Sequence, residues 1–210
     1  MGLIQLLFKD PAAFVILSVL LLYSVIFHEL AHGWVAYKFG DPTAKWLGRL
    51  TLNPLKHLDP FGSVMLLVVG FGWAKPVPVN LENIPLAERR KGLIFVSAAG
   101  ITANIICAFC AFLLYRLITP DPSGMLTQIL YLLARINIVL AAFNLIPIPP
   151  LDGSKILMGF APESLTRAFH QIEPYGFFIV LGLLLIGALD PVINLFQHFI
   201  LALISVFLPG

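Results

Sequence analysis

The sequence predicts an α-helical polytopic membrane protein, with about five transmembrane helices and a small membrane-associated β-sheet or re-entrant loop after the first. Three observations lead there. The mean hydropathy of +0.94 and the hydrophobic content of 59% stand far above the roughly half-apolar make-up of soluble domains, so lipid is the solvent for most of the chain. Charged residues make up only 11%. Apolar stretches at 12–39, 92–118, 125–147, 175–189 and 192–208 have lengths that suit membrane spans, the last two being short. With no internal repeat and no long polar tract, residues 1–210 read as one domain.

The first stretch follows Lys9 as a signal peptide's apolar region would, but it lacks a small-residue cleavage site, and polar motif residues continue the same helix. It reads as a span. Near its end stands Phe27-His28-Glu29-Leu30-Ala31-His32, an H-E-x-x-H pattern. On a helix, residues four apart share a face, so both imidazoles can reach one ion while Glu29 lies beside them; zinc hydrolysis uses that spacing. An ionisable side chain near the bilayer centre costs about 2.5–3.5 kcal/mol, so three within two turns need a strong compensating interaction. Structural zinc binding, worth about 10–16 kcal/mol in small peptides, supplies it. His28 and His32 precede Lys38 by about 15 and 9 Å of helix, which places the metal below the membrane surface rather than at mid-bilayer.

Between the first and second spans, 40–91 carries seven Lys and Arg residues: Lys45, Arg49, Lys56, Lys75, Arg89, Arg90 and Lys91. Basic loops stay on the cytoplasmic side, so this loop and the C-terminus are expected inside, with the N-terminus and the turn near Pro120 to Gly124 outside. Two runs, Arg49-Leu50-Thr51-Leu52 and Val77-Pro78-Val79-Asn80, read as strands. Pro76 and Pro78 would put the second at a sheet edge, since proline donates no ladder hydrogen bond. The apolar run 61–73 is too short to span and is expected to dip into the membrane and return. His57, in this polar loop, reads as a hydrogen-bonding residue rather than a ligand.

In the second stretch, Asn104 follows Gly100 by four residues, so its amide faces a helix that approaches closely at the glycine; it would contact the substrate or a developing oxyanion, or bond a neighbouring helix. Cys107 and Cys110 lie in the same apolar helix and read as small buried hydrophobes. In the third, Arg135 needs an acid, water or the interface. Asn144 precedes a proline-rich break and would hold substrate or brace that break. His170 and His198, near span ends, read as interfacial.

Catalytic zinc takes three protein ligands and keeps a fourth position open. Val35 and Lys38 stand where the metzincin extension requires Gly and His, which excludes that class. Asp152 ends Asn144-Leu-Ile-Pro-Ile-Pro-Pro-Leu-Asp152-Gly153, where irregular backbone at membrane depth must line protein or a wet cavity. Its carboxylate could reach the metal or cap a helix from Ser154.

At this point the chain resembles the site-2 protease family of intramembrane metalloproteases, peptidase family M50. The resemblance rests on Phe27-His28-Glu29-Leu30-Ala31-His32-Gly33, on Gly100 with Asn104, and on the Leu-Asp-Gly that closes 144–153. Loop pieces Gly48-Arg49-Leu50-Thr51-Leu52-Asn53-Pro54, Asp59-Pro60-Phe61-Gly62 and Ala74-Lys75-Pro76-Val77-Pro78-Val79 belong to it as well. It implies one Zn2+ per chain held by His28, His32 and Asp152, with Glu29 as general base and a sheet beside which substrate is gripped. Asn104 and Asn144 are the candidates for substrate or oxyanion contact. The implied partners are transmembrane or membrane-associated protein substrates and the lipid bilayer, with no nucleic acid, in a prokaryotic cell membrane with the site toward the cytoplasm. No PDZ insertion and no nucleotide-sensing repeats fit the sequence, and Ile101 stands where many relatives carry proline. The competing expectations are a metal-ion transporter, which needs no Glu29, and an inactive zinc-binding scaffold.

Overall fold

A computed structural model of the chain describes residues 4–69, 72–118 and 124–208. Its helices are α1 (Ile4–Lys9), α2 (Pro11–Lys38), α3 (Thr43–Trp46), α4 (Pro60–Val69), α5 (Arg89–Ile118), α6 (Met125–Asn144), α7 (Asp152–Phe160), α8 (Glu163–Leu185) and α9 (Asp190–Phe207), with short 3-10 turns at Pro54–Lys56, Leu81–Asn83 and Leu86–Glu88. Five of these, α2, α5, α6, α8 and α9, are long and apolar enough to cross a membrane.

Local chemistry sets the helix ends. Asp10 caps α2 by accepting the Ala13 N–H at 3.0 Å, and Pro11 occupies a first-turn position where no N–H is needed. The fourth span starts at Glu163 and ends at Leu185, longer and earlier than the expected 175–189. Gly187, at φ +71°, makes the left-handed turn that stops it, and Asp190-Pro191 opens α9.

Helix α5 is the hub, packed against α2, α6 and α7, while α6 also packs on α9. Ala108 and Ala111 of α5 and Ala134, Ala141 and Ala142 of α6 are buried where these helices meet. Small side chains let backbones approach, and in lipid that contact replaces hydrophobic exclusion as the source of association. Large apolar side chains such as Phe8, Leu117, Ile186 and Val206 point outward, as a lipid-facing surface requires.

The 40–91 segment departs from expectation. Among the described residues there is no strand, so the small β-sheet is corrected to irregular and extended chain. Its donors go elsewhere. Lys75 N–H bonds the His57 carbonyl at 2.8 Å, Val77 N–H the Glu29 carboxylate at 2.7 Å, Asn80 N–H the Asp41 carboxylate at 2.7 Å, and Arg49 N–H the Ala44 carbonyl at 2.8 Å. Pro76 and Pro78 have no N–H to give, so alternating residues that look like a strand have no ladder to join. The ends of run 61–73 lie close together: α4 is too short to span, and Trp73 packs at a tilt against Phe61, 5.6 Å between ring centres, and edge-on against Phe177 of α8 at 4.8 Å. The glycine-rich end of this run at 70–71 and the expected outer turn at 120–123 lie outside the described residues.

Asp41 anchors the returning chain to the end of α2. Fully buried, it accepts the Thr43 N–H, the Thr43 hydroxyl, the Asn80 N–H and the Asn83 amide. Burial pushes its carboxyl up, but these hydrogen bonds more than offset that and hold it below the usual carboxylate range.

Candidate metal centre

His28 and His32 are successive-turn neighbours on α2, both buried. Asp152 reaches them because the chain breaks after α6 and restarts as α7, with Asp152 its first residue. That restart needs glycine next door: a side chain at Gly153 would bring its Cβ within 2.7 Å of the Ile146 carbonyl oxygen. Leu151, not Asp152, occupies the cap position of α7, so the capping alternative for Asp152 is not realised.

Three atoms converge. His28 Nε2 and His32 Nε2 are 2.9 Å apart, and each is 3.1 Å from Asp152 Oδ2. Which of these carry protons follows from the partners behind them. His32 Nδ1 lies 2.6 Å from the Val96 carbonyl, which only accepts, so the proton of His32 is on Nδ1. Asn137 Nδ2 donates to the Leu133 carbonyl at 2.9 Å and to Ser24 Oγ at 2.9 Å, so its Oδ1 accepts from Asn104 Nδ2 at 2.8 Å. Asn104 Nδ2 also points at the Ser24 carbonyl at 3.3 Å, which leaves Asn104 Oδ1 as acceptor for His28 Nδ1 at 2.6 Å. With Nδ1 as the protonated nitrogen, each neutral imidazole turns its Nε2 lone pair toward the other and toward Asp152 Oδ2, which has no donor outside this triangle.

Three lone pairs aimed at one point in a buried site repel one another unless a cation stands among them. A tetrahedral ion with bonds of about 2.0–2.1 Å spaces its ligands about 3.3 Å apart, close to the observed triangle. The donor set of two imidazoles and one carboxylate is that of catalytic zinc, and Nδ1–H bonds to fixed acceptors are what orient such ligands. His28, His32 and Asp152 thus fit a zinc ion.

Helix α5 supplies the back wall. At Gly100 an added Cβ would stand 2.6 Å from both Cε1 and Nε2 of His28, so the absence of a side chain there is what admits the imidazoles.

In front lies a cavity of about 750 Å3. Glu29, Val77, Asn144 and Lys155 line it together with His28, His32 and Asp152. Glu29 is held by the Val77 N–H through Oε2. Asn144 donates to the Leu140 carbonyl at 3.0 Å and faces the cavity. Asn104 does not: it is fully buried behind His28 with its amide committed to three partners, so the substrate or oxyanion contact expected of it gives way to the interhelical role. His57 is buried and bonds the Thr51 carbonyl at 2.8 Å, away from the site. Arg135 lies over the Tyr131 ring at 5.9 Å. Asn137 and Ser24 were not singled out by sequence. An amide in an apolar helix, flanked on its own face by Ala134 and Ala141, was the available signal for Asn137.

Comparison with known proteins points to the same metal. The profile described as Peptidase family M50 matches residues 119–187, which include Asp152. The protein named "Putative zinc metalloprotease YwhC" from Bacillus subtilis is 44% identical over 200 residues, 90% of each chain. Two proteins with the same description are each 32% identical: Rip2 of Mycolicibacterium smegmatis, over 80% of this chain and 66% of its own, and MJ0611 of Methanocaldococcus jannaschii, over 73% and 77%. No solved structure matches the chain.

Proposed function

This chain belongs to peptidase family M50, a family of zinc metalloproteases, and from that premise we propose that it is a site-2-type protease, hydrolysing peptide bonds of transmembrane or membrane-associated proteins within the membrane. The five spans and the 40–91 segment act as one domain, 1–210, in this reading. The observation that carries it is the triangle of three ligand-type atoms on α2 and α7, opening onto a cavity that Glu29 also lines.

His28 and His32 would hold the metal through Nε2 and Asp152 through Oδ2. Zinc bound there would supply Lewis acidity, polarising a carbonyl and lowering the pKa of water toward 7. Glu29 is the general base: with Oε2 oriented by the Val77 N–H, its other carboxylate oxygen takes the proton from the attacking water and passes it to the leaving amine nitrogen. Asn144 spends one amide hydrogen on Leu140 and keeps a second for the substrate carbonyl. A helical substrate hides its carbonyls in hydrogen bonds, so it enters locally unwound, alongside the extended chain of 73–80. By the placement of basic residues the site faces the cytoplasm.

The test is cleavage of single-span substrates by the purified, bilayer-reconstituted protein. Hydrolysis that stops on chelation and returns with zinc supports the proposal. Turnover that survives complete zinc removal contradicts it.

A further inference from the structure

A second basin, of about 550 Å3, lies on the 40–91 segment outside the metal centre. Arg49, Lys56 and Lys75 line it, and among the described residues that line it there is no acid. Arg49 is only 8% exposed. Its Nη2 donates to the Lys75 carbonyl at 2.7 Å, but its Nε is buried with no partner. An unpaired buried donor on a cation is costly, and a guanidinium flanked by two ammonium groups is matched best by a phosphate. The rest of the lining is apolar. Trp46, Leu47 and Leu55, eight, nine and seventeen residues beyond the end of α2, stand 78%, 60% and 77% exposed. Exposed leucines and tryptophan at the end of a span mark the membrane interface, where lipid phosphates lie.

We propose that this basin binds the phosphate of an anionic phospholipid headgroup, with Arg49, Lys56 and Lys75 as its partners and Leu47 and Leu55 beside the acyl chains. The site touches the chemistry through one residue: Pro76 lines both this basin and the metal-centre cavity, and the next residue, Val77, donates to Glu29. A bound headgroup braces the chain that orients the base.

The experiment measures phosphatidylglycerol binding to the zinc-loaded full chain in phosphatidylcholine nanodiscs, with zinc content read alongside. Lys56 and Lys75 are exposed, so their neutralisation leaves the Arg49 brace in place. Each basic residue near an anionic surface contributes a factor of about five, so Lys56→Gln and Lys75→Gln are each expected to weaken phosphatidylglycerol binding about fivefold, and together about 25-fold, with zinc unchanged. Lys91→Gln, a charge on the same segment outside the basin, should change binding less than twofold. Wild-type phosphatidylglycerol affinity in the double variant overturns the proposal, as does an equal loss in the Lys91 variant, which would make the effect one of diffuse surface charge. Displacement of the lipid by an equal concentration of inorganic phosphate would assign the basin to free phosphate and overturn the lipid assignment.

Discussion

Asn137 reaches His28 through Asn104 and so decides which nitrogen of that imidazole carries the proton. With Asn137→Ala, Asn104 loses its acceptor and can turn, and His28 loses a fixed Nδ1 partner. Removing such outer partners costs about 10–100-fold in metal affinity, which chelator competition reads directly; wild-type affinity in this variant would refute the relay. Gly100→Ala acts on the same site from the α5 side. Both imidazoles are backed by bonds of 2.6 Å and have little freedom to retreat from a new methyl group, so zinc should be lost along with about 1–3 kcal/mol of stability. Part of this was legible in the sequence. His28, Glu29 and His32 declare themselves by spacing, because i and i+4 share a helix face. Asp152 is 120 residues away and became readable through the proline break and the family resemblance. Asn137 and Ser24 belong to no spaced motif, and only the packing of α2, α5 and α6 brings them together.

The extended chain between α4 and α5 is the element that links anchoring to chemistry. Val77 is fixed by a backbone group, so only proline at that position removes the bond to Glu29. Val77→Pro should keep zinc and lower turnover about 10–100-fold, the expected effect of losing a hydrogen bond worth roughly 1.5–3 kcal/mol to a charged group. Unchanged kcat would show that Glu29 needs no such support. The far end of this chain hangs on Asp41, whose folded-state carboxyl lies below its unfolded value. The stability it contributes is therefore present above the ordinary aspartate range and disappears as pH falls through and below it. Limited proteolysis of 40–83 should accelerate on acidification below about pH 4, and Asp41→Asn should flatten that dependence. Sequence misreads 77–80 of this element, like 49–52 before α4, as a strand because an extended-looking run records only residue type, whereas a sheet also requires free N–H groups on both partners. Here the donors of Lys75, Val77 and Asn80 are each taken by a carbonyl or a carboxylate.

Across the whole molecule, the five spans were legible because about 20 apolar residues in a row satisfy one physical requirement, while the α8–α9 boundary was not, since a single positive-φ glycine sets it. The proposed orientation rests on the basic 40–91 segment and on five candidate spans among the described residues. A cysteine at position 88 should label from the cytoplasmic side and one at position 124 from the opposite side; the reverse pattern would invert the topology. The proposed site puts one metal between α2 and α7, held by His28, His32 and Asp152 and served by Glu29. Ligand and base make different demands, so the most direct measurement is zinc content beside cleavage rate for the wild type, Glu29→Gln and Asp152→Ala. The account predicts about one zinc and cleavage in the wild type, about one zinc with cleavage largely lost in Glu29→Gln, and zinc and cleavage lost together in Asp152→Ala. Full zinc and full cleavage in the Asp152 variant, or wild-type cleavage in the Glu29 variant, would contradict it.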